Sequence, residues 1–185
     1  MMTRDEALAL VSGWTKNQNL IKHMLAVEAQ MRALAKHFRE DPEQWGLAGL
    51  IHDADYDQWP ESHPQKTLDE LQKRGEPGWL TDAVRRHAWG YHGFKEEPET
   101  KLEWSLYCCD ELSGLIIACA LVRPDKKLAS VEVDSVLKKW KKKDFAAGVH
   151  REQIELCEEK LGIKLNDFIG ICLQALQGIA GDLGL

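Results

Sequence analysis

Four residues have types and positions that packing alone explains poorly: His23, the adjacent pair His52-Asp53, and Asp110. Imidazole nitrogens and carboxylate oxygens are the donors of mixed divalent-metal sites, and both groups also move protons in catalysis. Asp110 makes the strongest case. It sits in a stretch, Trp104 to Val122, that is apolar on nearly every helical face and has Asp110-Glu111 as its only acids. Aspartate is a weak helix former, and burying it unpaired costs several kcal/mol. Its neighbours one turn away include Leu106 and Gly114, so its counter-charge must come from elsewhere, as a basic side chain or a metal ion.

His52-Asp53 ends the apolar run of LAGLIHDADYD, Leu47 to Asp57. Neighbours within a helix diverge by ~100°, so the two side chains converge on one ion most easily where a helix is ending. A protonated histidine opposing the helix dipole is the plainer reading of the same position. His23 lies roughly 60° off the centre of its helix's apolar stripe at ~100° per residue, beside Val27 and Leu34, which suits a half-buried packing histidine as well as a ligand.

The elements that must position these residues are helical throughout. No stretch alternates apolar and polar residues as a half-buried strand does, whereas 3.6-residue periodicity recurs from end to end, so the fold class is all-α. Thr3 with Glu6 forms a capping box ahead of Ala7 to Trp14. Asn17 or Asn19 caps a helix with the stripe Leu20, Met24, Val27, Met31, Leu34 and Phe38. Asp41-Pro42-Glu43 opens a third helix that runs into His52-Asp53. A short helix from Gln65 to Lys73 stops at Gly75, Pro77 opens another through His87, and Gly90 to Pro98 reads as a loop. Pro98 is expected to start the longest and most buried helix, ended by Arg123-Pro124. Further helices are expected over Ser130 to Lys143, from Asp144 through Val149 to Leu161, and after an Asn166-Asp167 cap.

The 185 residues suit one domain, with a motif core at about 20–123 and C-terminal helices 130–185 packed on it. The formal charge of -6 argues against a general nucleic-acid binder or a membrane-surface protein. Five cysteines without CxxC spacing read as reduced core residues. With no secretory signal, and with the longest purely apolar run, Leu115 to Val122, far short of the ~20 residues that span a bilayer, the expected location is the cytoplasm. The lysines from Lys138 to Lys143 read as a solvated helix end rather than a polyanion site. The seven tryptophans read as core and amphipathic surface, with a homodimer face as the alternative.

Taken in order, His23, His52-Asp53 and Asp110 resemble the HD superfamily of metal-dependent phosphohydrolases, an all-α helical bundle named for its adjacent His-Asp. LAGLIHDADYD is similar to the segment carrying that pair, and LEWSLYCCDELSG to the helix carrying the final aspartate. The resemblance covers about Leu20 to Arg123. It implies His23, His52, Asp53 and Asp110 as metal ligands, with Asp53 and Asp110 catalytic. His63 and His87 resemble the extra histidines of members that hold two metals and cleave nucleotide polyphosphates, and His92 is a substitute for either.

The implied function is hydrolysis of a nucleotide or similar small phosphorylated compound with one or two divalent ions, manganese, iron, cobalt, nickel, zinc and magnesium all fitting the donors. Such an ion lowers the pKa of bound water from 15.7 toward ~7 and polarises a phosphoryl oxygen. Lys66 and Arg123 are candidate phosphate contacts, with surface charge as the alternative. His37 and His150 read as surface or packing residues. The chain departs from members that place a catalytic glutamate three residues after the pair, since Tyr56 stands there. Asp55 and Asp57 read as solvated loop acids, with a substitute catalytic role as the alternative. The rival function is a non-catalytic metal- or nucleotide-binding module with a sensory or structural role.

Overall fold

The computed structural model describes residues 1–185, which form ten α-helices, two single 3-10 turns and no strand. The helix starts follow the cap chemistry. In α1 (Arg4–Trp14) the Thr3 and Glu6 side chains close the capping box. In α2 (Gln18–Phe38) the Asn17 side chain accepts from the Asn19 N–H, and in α3 (Pro42–Ile51) the Asp41 carboxylate accepts from the Glu43 N–H. The helices α4 (Gln65–Arg74) and α5 (Gly78–His87) are divided by Gly75, whose φ of 67° is a left-handed conformation that glycine adopts without a Cβ clash.

The next helix, α6 (Lys101–Leu121), starts later than expected. Thr100 and Glu103 form a capping box there, which supplies two orphan amides with acceptors and overrides the proline two residues upstream. At 21 residues it equals α2 in length. By length and composition it is long and apolar enough to cross a membrane, and 67% of its most apolar window is buried inside the protein.

The C-terminal third departs most from expectation. Only Val133–Trp140 forms α7, so Lys141, Lys142 and Lys143 lie beyond it and only Lys138 and Lys139 oppose its dipole. Residues 144–148 are turns rather than helix, 149 and 150 have no regular structure, and α8 is Arg151–Leu161. The helix after it, α9 (Leu165–Gly178), begins one residue ahead of Asn166, and a one-turn α10 (Ala180–Leu183) follows.

The two long helices form the centre: α2 packs on α3, α6 and α9, and α6 packs on α2, α5 and α8. One hydrophobic cluster of 43 buried residues runs from Met2 to Leu183, and the five cysteines are free and buried within it. The approach of α2 to α3 is set by Gly49, where an added Cβ would stand 2.9 Å from the Val27 carbonyl oxygen. Buried Glu28 reinforces the same contact, accepting from Arg4 of α1 at 2.6 Å and from Arg32 at 3.0 Å, while Arg32 reaches on to Glu43 of α3. This packing brings the middle of α6, the first turns of α2, and the ends of α3 and α5 to one place.

Candidate metal centre

Each ligand candidate comes from a different piece of backbone. His23 lies in the second turn of α2, His52-Asp53 follow the last residue of α3, His87 ends α5, His63 precedes α4, and Asp110 is midway along α6. The side chains converge. His23 Nε2 lies 3.4 Å from His52 Nε2 and 2.9 Å from Asp110 Oδ1, and His52 Nε2 lies 3.4 Å from the same Asp110 oxygen. His63 Nε2 lies 3.0 Å from His87 Nε2.

Asp53 stands between the two pairs. Its Oδ2 is 3.6 Å from His23, and its Oδ1 is 3.6 Å from His52, 3.2 Å from His63 and 3.5 Å from His87. Two groups could therefore each hold an ion, His23 with His52 and Asp53, and His63 with His87 and the same Asp53. Asp110 adds a carboxylate to the first.

The second nitrogen of each imidazole settles what the first can do. His23 Nδ1 meets the Ser113 hydroxyl at 3.0 Å, and that hydroxyl donates its own proton to the Asp110 carbonyl, so the imidazole is the donor. His52 Nδ1 donates to the Gly49 carbonyl at 2.8 Å, His87 Nδ1 to the Val84 carbonyl, and His63 Nδ1 to the Asp55 carboxylate at 2.7 Å. With every Nδ1 protonated, each neutral ring turns an Nε2 lone pair inward. Two such pairs facing at 3.0 and 3.4 Å repel unless a cation lies between them or protons are taken up. Anchoring of the outer nitrogen is also what orients histidine ligands in metal sites. The donor set thus fits divalent ions.

The electrostatics carry the same mark. Burial alone would lower the His52 pKa, but the Asp53 and Asp110 carboxylates outweigh it and raise it to about 9. Burial likewise opposes ionisation of Asp53 and Asp110, and the neighbouring imidazoles, His52 foremost, hold both well below the usual carboxylate range. His87 is lowered, because its burial exceeds the help it receives from Asp53. A cation of either kind is what this cluster stabilises.

A cleft of about 470 Å³ opens over the cluster, lined by His23, Asp53, His63, His87 and Asp110 and walled by Leu20, Tyr56, Tyr91, His92, Glu111 and the 148–150 segment. Lys66 and Arg123 do not line it. Lys66 is exposed on α4, whose inward residues are Thr67, Leu68 and Leu71. Arg123 lies thirteen residues beyond Asp110 along the α6 direction, about 20 Å at 1.5 Å per residue.

Three other expectations change. Asp55 is fully buried: besides His63 it accepts the Thr67 N–H at 3.0 Å, so it fixes the His63 ring rather than meeting solvent. Asp57 is exposed but bound, accepting the Lys16 and Asn17 amides and tying the loop after α3 to the turn before α2. His150 belongs to the cleft wall, whereas His37 lies apart from it. Ser113, one turn from Asp110, was legible as a polar residue in an apolar helix. The carbonyls of Gly49 and Val84, three residues before His52 and His87, leave no mark in side-chain chemistry.

Tyr56 is 45% exposed and sets its ring edge-on to His63 with centroids 5.2 Å apart. No curated protein matches the chain. A family model described as HD domain matches residues 20–115, just over half of the chain, beginning ahead of His23 and ending just after Ser113. With the His-Asp pair, the flanking histidines and the final aspartate all inside that span and gathered at one cleft, the chain belongs to the HD domain family.

Proposed function

We propose that the protein is a metal-dependent phosphohydrolase that cleaves a phosphomonoester or phosphoanhydride bond in a nucleotide or similar small compound, with two divalent ions. The observation that carries this reading is Asp53, shared by two histidine pairs whose outer nitrogens are all tied down. His23, His52, Asp53 and Asp110 would hold one ion, and Asp53, His63 and His87 the other. Ions bound there would acidify water toward neutral pH and neutralise charge on a phosphoryl group.

The chain's own part is placement. The imidazoles are locked in the ligand tautomer, Asp55 keeps His63 from turning, and the rigid ends of α3 and α5 hold Asp53 opposite His87. No lysine or arginine lines the cleft, so charge on a bound phosphate would be balanced by the metal centre rather than by basic side chains. Tyr56, Tyr91 and Leu20 offer apolar surface to the organic part of a substrate, and the cleft volume lies in the range of small-molecule sites.

Metal analysis of the purified protein, followed by a phosphatase and phosphodiesterase panel with manganese, iron or cobalt, tests the reading. Turnover abolished by Asp53→Ala and by Asp110→Ala is expected. A fully loaded protein that turns over no substrate would leave the non-catalytic binding module in its place.

A further inference from the structure

Breaking a phosphate ester leaves an oxygen that gains an electron pair and, unless it is a stable anion, needs a proton. The cleft holds few groups able to give one. The four inner histidines commit Nε2 to the centre, and burial pushes the Tyr91 hydroxyl above the ordinary tyrosine range, which weakens it as an acid. Two histidines line the cleft outside the ligand cluster, His92 and His150.

Of these, His150 is built into place. Its Nδ1 donates to Glu111 Oε1 at 2.9 Å, and its backbone N–H donates to Glu111 Oε2 at 3.0 Å, so one carboxylate grips both ring and chain. The Tyr91 hydroxyl lies 3.2 Å from the same ring nitrogen and is itself held by Gln153 at 2.7 Å. Glu111 is the residue after Asp110 on α6, so His150 is fixed to the helix that carries a ligand. The segment before it is stapled by Arg151, whose guanidinium donates to the carbonyls of Lys142, Phe145 and Val149. His92, by contrast, sits at φ 47° in the loop after α5 and has no carboxylate partner.

Resting on the function proposed above, we propose that His150, oriented by Glu111, is the catalytic residue that gives its Nε2 proton to the departing oxygen of the substrate. Water oxygen forms the new bond to phosphorus, the bond to the leaving oxygen breaks with its electron pair going to that oxygen, and the His150 proton passes to it. The proton lost by the attacking water goes to solvent, and His150, whose side chain is 46% exposed, takes one back from solvent. The Glu111 hydrogen bond raises the His150 pKa against the lowering effect of partial burial, and the charges of Glu111 and Glu152 add to the rise. The residues concerned straddle the matched family segment: Glu111 is inside it and His150 is beyond it.

The test compares manganese-loaded wild type with His150→Gln on p-nitrophenyl phosphate, whose leaving group is a stable anion, and on adenosine 5′-monophosphate, whose leaving alkoxide is not. His150→Gln should keep wild-type metal content and lose roughly 10²-fold in kcat on the nucleotide, with a much smaller loss on the nitrophenyl ester. His150→Asn should repeat the pattern, and Glu111→Gln should show it in weaker form. The ¹⁵N spectrum of the wild-type His150 ring should show both nitrogens protonated at neutral pH. Equal losses on both substrates, the same pattern in His92→Gln instead, or a neutral His150 ring would overturn the assignment. Wild type that cleaves neither ester but is active elsewhere in the phosphatase and phosphodiesterase panel would overturn this assignment alone, whereas wild type inactive across the whole panel would overturn the phosphohydrolase reading and this assignment with it.

Discussion

Asp55→Asn replaces one oxygen by an amide nitrogen at a position closed to solvent. The carboxylate accepts from two donors, His63 Nδ1 at 2.7 Å and the Thr67 N–H at 3.0 Å, and the residue is fully buried. An asparagine can satisfy only one of them. If its amide group faces Thr67, two donors collide; if it faces His63, the imidazole must move its proton to Nε2, the atom that faces His87 and Asp53. Either outcome damages the His63, His87 and Asp53 group and leaves His23, His52 and Asp110 untouched. Loss of such an outer partner typically weakens metal affinity about 10–100-fold, equivalent to about 1.4–2.7 kcal/mol. The metal-free protein should lose about 1–3 kcal/mol for the buried donor left without an acceptor. Chelator competition with manganese should show one weakened site beside one near wild-type affinity, and urea unfolding with and without metal should separate the two costs. Affinities within about threefold of wild type at both sites would refute the orienting role, since the expected loss starts at about tenfold.

Gly49→Ala places a methyl 2.9 Å from the Val27 carbonyl at the α2–α3 contact, and should cost about 1–3 kcal/mol, lower Tm by several degrees and weaken metal binding through His52. Calorimetry that finds no change in Tm would contradict it. The metal-free protein should lose stability as pH rises, because His52 is raised from 6.5 to about 9 in the folded state: its contribution is fully present below pH 6.5 and is gone above about 9. Asp53 and Asp110, lowered in the folded state, contribute in the opposite sense, and their share is lost as acid approaches and passes the ordinary carboxylate range. Urea midpoints of metal-free protein from pH 5 to 9 should therefore fall at the alkaline end, and manganese should abolish that fall by taking the place of the proton on His52. Arg151→Ala removes the staple across residues 142–149 and should raise KM while sparing metal content, with faster proteolysis after Lys141 to Lys143; unchanged cleavage would place the ordering of that segment elsewhere.

The local decisions and the donor chemistry of the centre could be read from neighbouring residues alone. Thr3, Asn17 and Asp41 have side chains that reach amides two or three residues away, so the starts of α1, α2 and α3 were written in neighbouring letters. Asp110 was legible because an aspartate in an apolar helix must find a cation wherever the helix goes. The all-α fold followed from periodicity, which needs no knowledge of partners. The tertiary structure decided everything that depends on which surfaces meet. It showed Asp53 facing two histidine pairs at once, because that requires the ends of α3 and α5 to lie together. Asp55 and Asp57 are alike in a polar loop, yet one is buried under α4 behind His63 and the other caps a turn at the surface. It left Arg123 outside the cleft and brought His150 into its wall, since α8 packs on α6. A sequence names the donors a site can use, but the distance between residues far apart in the chain is fixed only when their helices pack.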